Sequence, residues 1–138
     1  MTKPMPGEFL DTNVLIYAFA EDPRSHRAQE LLAQGCTIGV QILNEFTNVA
    51  RRKLNMNWGE IGDALSSIRI LCPIVVPMDL DVHDEAIVIA ERYGFQIFDA
   101  LIIASAKLSG CDVLWSEDMQ DGMIIDSQLH IINPFRLP

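Results

Sequence analysis

Short apolar runs alternate with helical patterns along the whole 138-residue chain, and this alternation restricts the fold more than any other feature. Phe9-Leu10, Cys36-Thr37-Ile38-Gly39-Val40, Ile74-Val75-Val76, Asp112-Val113-Leu114-Trp115 and Leu129-His130-Ile131-Ile132 each read as a short strand. Between them, apolar residues recur at helical spacing: Ala28, Leu31 and Leu32; Ile42, Phe46, Val49 and Ala50; Ile61, Leu65, Ile68 and Leu71; Ala86, Ile89, Ala90 and Tyr93. Strands separated by helices call for right-handed crossovers and a parallel sheet covered on both faces. One domain over residues 1–138 is expected, since the length suits one core and 49% of the residues are hydrophobic.

Punctuation residues divide these elements. Asp22 is expected to cap the second helix with Pro23 in its first position, and Gly35 to end it. Asn57 and Glu60 have the spacing of a capping box, and Pro73 stops the helix that follows. Asp81 is expected to cap the next helix and Gly94 to close it. Phe98 to Ala106 is apolar nearly all round, the mark of a buried helix, and Gly110 ends it. Met119 to Gln128 reads as a turn-rich connection, and Asn133-Pro134 ends the last strand.

The charge and the cysteines exclude whole classes. No apolar run approaches the ~18 residues of a membrane span, and Met1–Gly7 has no apolar core, so neither membrane insertion nor a secretory signal is expected. Cys36, Cys72 and Cys111 are scattered and odd in number, which reads as buried thiols in a reducing cytoplasm. His26, His83 and His130 are isolated, so zinc is not expected. A formal net charge of −9 opposes attraction to nucleic acid. It is compatible with phosphate chemistry only if carboxylates gather divalent cations, which then supply the local positive charge.

Four carboxylates need explaining. Asp11 follows the apolar lead-in Phe9-Leu10 and precedes Asn13 and a helical run, which puts it at the carboxyl end of a strand, where α/β sheets bind ligands. Asp11 or Asn13 could equally be a helix cap. Asp99 stands at the start of the apolar helix, where a charge must be paired, hydrogen-bonded or metal-bound, unless it only faces the helix dipole. Asp118 repeats the Asp11 pattern after Trp115, with turn chemistry the alternative for it and the stronger reading for Asp121 and Asp126. Glu45 shares a helical stripe with Gln41, Asn48 and Arg52, near the buried boundary set by Leu43 and Phe46. Arg51 and Lys53 read as complements of their helix end, and Arg52, on the stripe of Glu45, as a phosphate contact. Trp58 and Trp115 read as core or interface residues. Oxygen-only ligands suit Mg²⁺ or Mn²⁺.

Taken in order, Phe9-Leu10-Asp11-Thr12-Asn13-Val14-Leu15-Ile16-Tyr17, Asn44-Glu45-Phe46, Phe98-Asp99-Ala100-Leu101-Ile102 and Ser116-Glu117-Asp118-Met119-Gln120-Asp121-Gly122 resemble the PIN-domain family, and within it the VapC-type toxins of prokaryotic toxin–antitoxin pairs. The resemblance implies a three-layer α/β/α fold with a central parallel sheet of four to five strands. It implies Mg²⁺- or Mn²⁺-dependent endoribonuclease activity on RNA, a homodimer and an antitoxin partner. By position, Asp11, Glu45, Asp99 and Asp118 match the family's acidic quartet, and Asp121 a more variable acidic position that would also face the metal. Thr12, Asn13 and Ser116 would hold those carboxylates from behind. Glu117 and Asp118 are adjacent, and motif alignment selects Asp118. Two alternatives keep the same fold. A non-catalytic binding module would bind RNA without cutting it. An aspartyl-phosphate phosphatase or receiver would use Asp11 as nucleophile. For the former of these two enzymes position 13 is Asn where Asp is wanted, and for the latter only Lys3, Lys53 and Lys107 are available.

Overall fold

The computed structural model describes residues 7–136, so Met1–Pro6, expected to hold no signal, lie outside the described residues. In order, the elements are β1 (Glu8–Leu10), α1 (Thr12–Phe19), α2 (Ser25–Ala33), β2 (Ile38–Gly39), α3 (Val40–Arg52), α4 (Trp58–Leu71), β3 (Val75–Val76), α5 (Leu80–Tyr93), α6 (Ile97–Leu108), β4 (Val113–Trp115), β5 (Ile124–Ile125) and β6 (Leu129–Ile132). One sheet has the order β1-β4-β6-β5, and β2 pairs with β3 beside it. Thr37 joins the two: Leu10 N–H donates to its carbonyl at 3.1 Å, and its N–H donates to the Glu8 carbonyl at 2.8 Å. All pairings are parallel except β5 with β6. With helices on both sides this is a three-layer α/β/α fold.

The five expected strands are present, and β5 is an addition inside the stretch read as turns. It escapes a sequence reading because it has only two residues and its turn lacks glycine. Asp126 and Ser127 both take positive φ, 50° and 58°, as a type I′ hairpin turn requires, and Gln128 N–H closes the turn on the Ile125 carbonyl at 2.9 Å. Side chains hold Asp126 there. Its carboxylate accepts from Arg92 (2.5 Å), Tyr93 (2.8 Å) and Lys107 (2.7 Å), which keep it at a pKa of about 2. Asp126→Ala is expected to cost about 1–3 kcal/mol, measured by chemical denaturation.

Two caps differ from expectation. Asp22 bonds Arg24 N–H in a preceding turn, and α2 begins at Ser25 without a side-chain cap. Asp79, not Asp81, caps α5 by accepting from Val82 N–H at 3.0 Å, because the backbone is still extended at Asp79 and turns helical from Leu80. The Asn57–Glu60 capping box forms in both directions, at 2.8 and 2.9 Å. Trp58 is not a core residue: it is 65% exposed, beneath the Arg51 guanidinium at 4.9 Å.

The core lies between the sheet and its helices. Phe9, Leu10, Leu114 and Ile131 of the strands meet Leu15, Ile38, Ile42, Phe46 and Ile103, all fully buried. Ala100 and Ile102 to Ala106 are buried along α6. A turn at Gly110, with φ +80°, leads α6 directly into β4, so the helix runs back antiparallel to that strand. The start of α6 therefore lies towards the carboxyl edge of the sheet. Among the described residues no helix is long and apolar enough to cross a membrane.

Candidate functional site

Strand register builds the centre of the site. Leu10 pairs with Trp115, so Asp11 and Ser116 leave the sheet side by side at its carboxyl edge, tied by Asp11 N–H to the Trp115 carbonyl at 3.0 Å. Asp11 is also the N-cap of α1: its Oδ1 accepts from Thr12 N–H at 2.7 Å. The cap and strand-end readings are thus both true of one side chain. Its Oδ2 accepts from the Ser116 hydroxyl at 2.6 Å and from the Asn13 amide at 3.3 Å.

Two further carboxylates converge on it. α3 packs against α1 and presents Glu45, whose Oε2 accepts from the Thr12 hydroxyl at 2.7 Å. Past β4, Asp118 Oδ2 accepts from the same Asn13 amide at 3.2 Å. Asp11 is only 6% exposed, and its pKa is pushed up to about 6. Burial is the largest cause, opposed by the bonds from Ser116 and Thr12 and reinforced by the charges of Glu45 and Asp118.

A cavity of about 390 Å³ opens beside these acids, lined by Thr12, Asn13, Ile16, Tyr17, Glu45, Val49, Lys53 and Asp118. A second groove of about 230 Å³, lined by Asn48, Val49, Arg52 and Lys53, adjoins it along α3. Another cavity, of about 460 Å³, lies at the amino edge around Gly7, Cys36 and Asp112. It is the wrong edge for a parallel sheet, whose ligands sit beyond the strands' carboxyl ends.

The remaining sequence candidates are placed as follows. Asp99 is half-buried in the first turn of α6, and among the described residues no hydrogen bond ties it to Asp11, Glu45 or Asp118. Asp121 is turned towards the C-terminal segment, accepting from Asn133 N–H at 2.7 Å and Arg136 at 3.0 Å. Glu117 is taken by Arg24 and Tyr17. Arg52 lies in the smaller groove, whereas Lys53, read from sequence only as a helix-end charge, lines both cavities. Lys53 is eight residues after Glu45 and four after Val49, so helical spacing alone could have placed all three on one face. Tyr17, four residues after Asn13, was detectable in the same way.

As placed, no three Asp, Glu, His or Cys side chains among the described residues surround a single point closely enough to hold an ion. The chemistry nonetheless fits. Asp11, Glu45 and Asp118 offer only oxygens, and no basic side chain pairs with any of them among the described residues. Neighbouring Glu117 and Asp121 do have arginine partners. One turn before Glu45, Gln41 keeps a buried Oε1 with no donor among the described residues. Hydrogen bonds from Ser116 and Thr12 pull the Asp11 carboxyl down, but less than its burial raises it.

Comparison with known proteins agrees with this fold. No curated protein matches the chain. Among solved structures, a toxin-antitoxin complex from Klebsiella pneumoniae superimposes with a TM-score of 0.73 at 18% identity, covering 94% of this chain and 99% of that one. VapC20 of Mycobacterium tuberculosis, a Sarcin-Ricin loop cleaving toxin, gives 0.63 at 19% identity over 80% and 89%. VapBC2 from Rickettsia felis, bound to a DNA fragment from their promoter, gives 0.61 at 18% over 90% and 96%. At these identities the likeness is one of fold. The PIN domain profile matches residues 9–120, from β1 past the Asp118 turn, and the chain belongs to the PIN-domain family.

Proposed function

We propose that this chain is a divalent-metal-dependent endoribonuclease, the VapC-type toxin of a toxin–antitoxin pair. One observation carries the reading: three carboxylates from three elements, linked through Thr12 and Asn13 and without basic partners among the described residues, gather at the carboxyl edge, where Glu45 and Asp118 line one cavity and Asp11 is buried behind it. Asp11, Glu45 and Asp118 would hold Mg²⁺ or Mn²⁺, with Asp99 added from the start of α6. The bound ion would acidify a water and offset charge on the phosphodiester. Asp11 is the buried anchor, held by the Ser116 hydroxyl, and Thr12 and Asn13 would set the directions of the Glu45 and Asp118 oxygens. The three structural neighbours come from toxin-antitoxin or toxin studies by their own descriptions, which supports the toxin reading and an antitoxin partner. Leu80, Ile87 and Val88, left exposed on α5, support a partner surface such as a homodimer. Cytoplasmic residence accords with three free cysteines.

The test is cleavage of single-stranded RNA by the purified protein. Cleavage is expected with Mg²⁺ or Mn²⁺ and is expected to stop with EDTA. Tight RNA binding without cleavage at millimolar Mn²⁺ would favour the binding module. Beryllofluoride trapping would favour an aspartyl-phosphate protein, although Lys107 is already committed to Glu85 and Asp126.

The path along α3 suggests how the strand is held. Lys53 and Arg52 are reachable by a phosphate flanking the scissile one, with Ile16 and Val49 as the apolar wall between. Lys53→Gln and Arg52→Gln are each expected to weaken RNA binding and to reduce the salt-dependence slope by about 0.7, the single-strand value for one lost contact. Fluorescence anisotropy across a salt series measures it, and an unchanged slope in both variants removes this path.

A further inference from the structure

A second polar cluster adjoins the acids and has no part in the chemistry above. Arg24 sits in the turn after α1, where its Nε and Nη2 bond the two carboxylate oxygens of Asp22 at 2.7 and 2.8 Å. Its Nη1 reaches both oxygens of Glu117, each at 3.0 Å. The guanidinium carbon lies 3.9 Å from the centroid of the Tyr17 ring. The Tyr17 hydroxyl also donates to Glu117, at 2.5 Å, and its ring packs edge-on against Phe135 at 5.2 Å. A planar fork with a ring beneath it fixes direction as well as charge, which a lysine ammonium does not.

The residue held in this way is the sequence neighbour of Asp118. Glu117 N–H donates to Asn13 Oδ1 at 3.3 Å. With that oxygen turned to Glu117, the Asn13 Nδ2 faces Asp11 and Asp118, at 3.3 and 3.2 Å. The amide has two distinct ends, and these partners set which way it points.

We propose that Arg24 is a positioning residue for the acidic site: it clamps the Glu117 carboxylate away from the cavity, so that Asp118 and not Glu117 takes the Asn13 amide. This rests on the reading of Asp118 as a member of that site. Released, the Glu117 carboxylate would be a competing acceptor for the amide and an added like charge beside Asp118.

The test compares the full chain carrying Arg24→Met, Glu117→Gln or both, with Arg24→Lys as a milder variant should Arg24→Met not fold. The first measurement needs no activity: the Asn13 side-chain amide signal in ¹H–¹⁵N spectra of metal-free protein, assigned by its loss in Asn13→Asp. Arg24→Met is expected to displace that signal, Arg24→Lys to displace it less, and the double variant to return it towards its original position. The second is RNA cleavage, where Arg24→Met is expected to lower kcat by roughly 10-fold or more with KM unchanged, and the double variant to recover most of it. A lower melting temperature with an unmoved Asn13 signal would make Arg24 a scaffold brace and overturn the proposal, as would failure of the double variant to restore the signal. If the unaltered chain cuts no RNA, the nuclease reading falls while the spectra still decide the positioning role.

Discussion

Asp11→Asn is expected to lower RNA cleavage by more than about 100-fold, since loss of an outer partner alone costs 10–100-fold and Asp11 is proposed to hold the ion itself. The fold should survive. Asparagine keeps the oxygen that caps α1 and fills the same volume, so far-UV circular dichroism should stay native. Asp99→Asn is expected to show a loss of similar size and is the sharper experiment. Asp11 is bonded into the cluster, whereas Asp99 reaches the carboxyl edge only through the direction of α6. Full activity in Asp11→Asn would refute the catalytic assignment. Full activity in Asp99→Asn alone would reduce the site to Asp11, Glu45 and Asp118.

Metal-free protein is expected to lose stability as the pH rises through about 6, and Mn²⁺ is expected to remove that loss. Asp11 has a folded pKa of about 6 against an ordinary 3.8. For a group raised on folding, its full contribution is present below 3.8 and is lost as pH climbs through the folded value. The gap corresponds to roughly 3 kcal/mol for this buried carboxyl, a large share of a small domain's stability. Asp22 and Asp126, both lowered from 3.8 to about 2, act in the opposite sense and only below that ordinary value, so the span from pH 4.5 to 7.5 isolates Asp11. Chemical denaturation at pH 4.5 and 7.5, with and without Mn²⁺, measures the effect, about 2 kcal/mol of which falls in that span. Asp11→Asn should flatten the metal-free curve, and an equally steep curve in that variant would assign the titration elsewhere. Stabilisation by Mn²⁺ should grow with its concentration, as for any ligand bound only by the folded chain.

Much of this was readable before any coordinates. Ile42, Phe46 and Ala50 at helical spacing are the buried side of α3, and the Asn57–Glu60 box starts α4. Phe9-Leu10 ahead of Asp11 is a strand, with Asp11 just past its carboxyl end. Each follows from side-chain periodicity or from backbone groups a few residues away, and such physics is local. The β5 hairpin was not readable. Its turn has no glycine, and Asp126 is held at positive φ by Arg92, Tyr93 and Lys107, the nearest of them 19 residues distant.

The acids divide along the same line. Periodicity and position mark Asp11, Glu45, Asp99, Glu117, Asp118 and Asp121 as candidates but cannot say which way a carboxylate turns. Arg24 draws Glu117 from 93 residues away, Arg136 and Asn133 hold Asp121, and Asn13 reaches 105 residues to Asp118. Burial is decided by the pattern of neighbours along the chain, so the sequence alone determined the layers and the core. The direction of a polar group is decided by its partner, and only the tertiary structure brings those partners together.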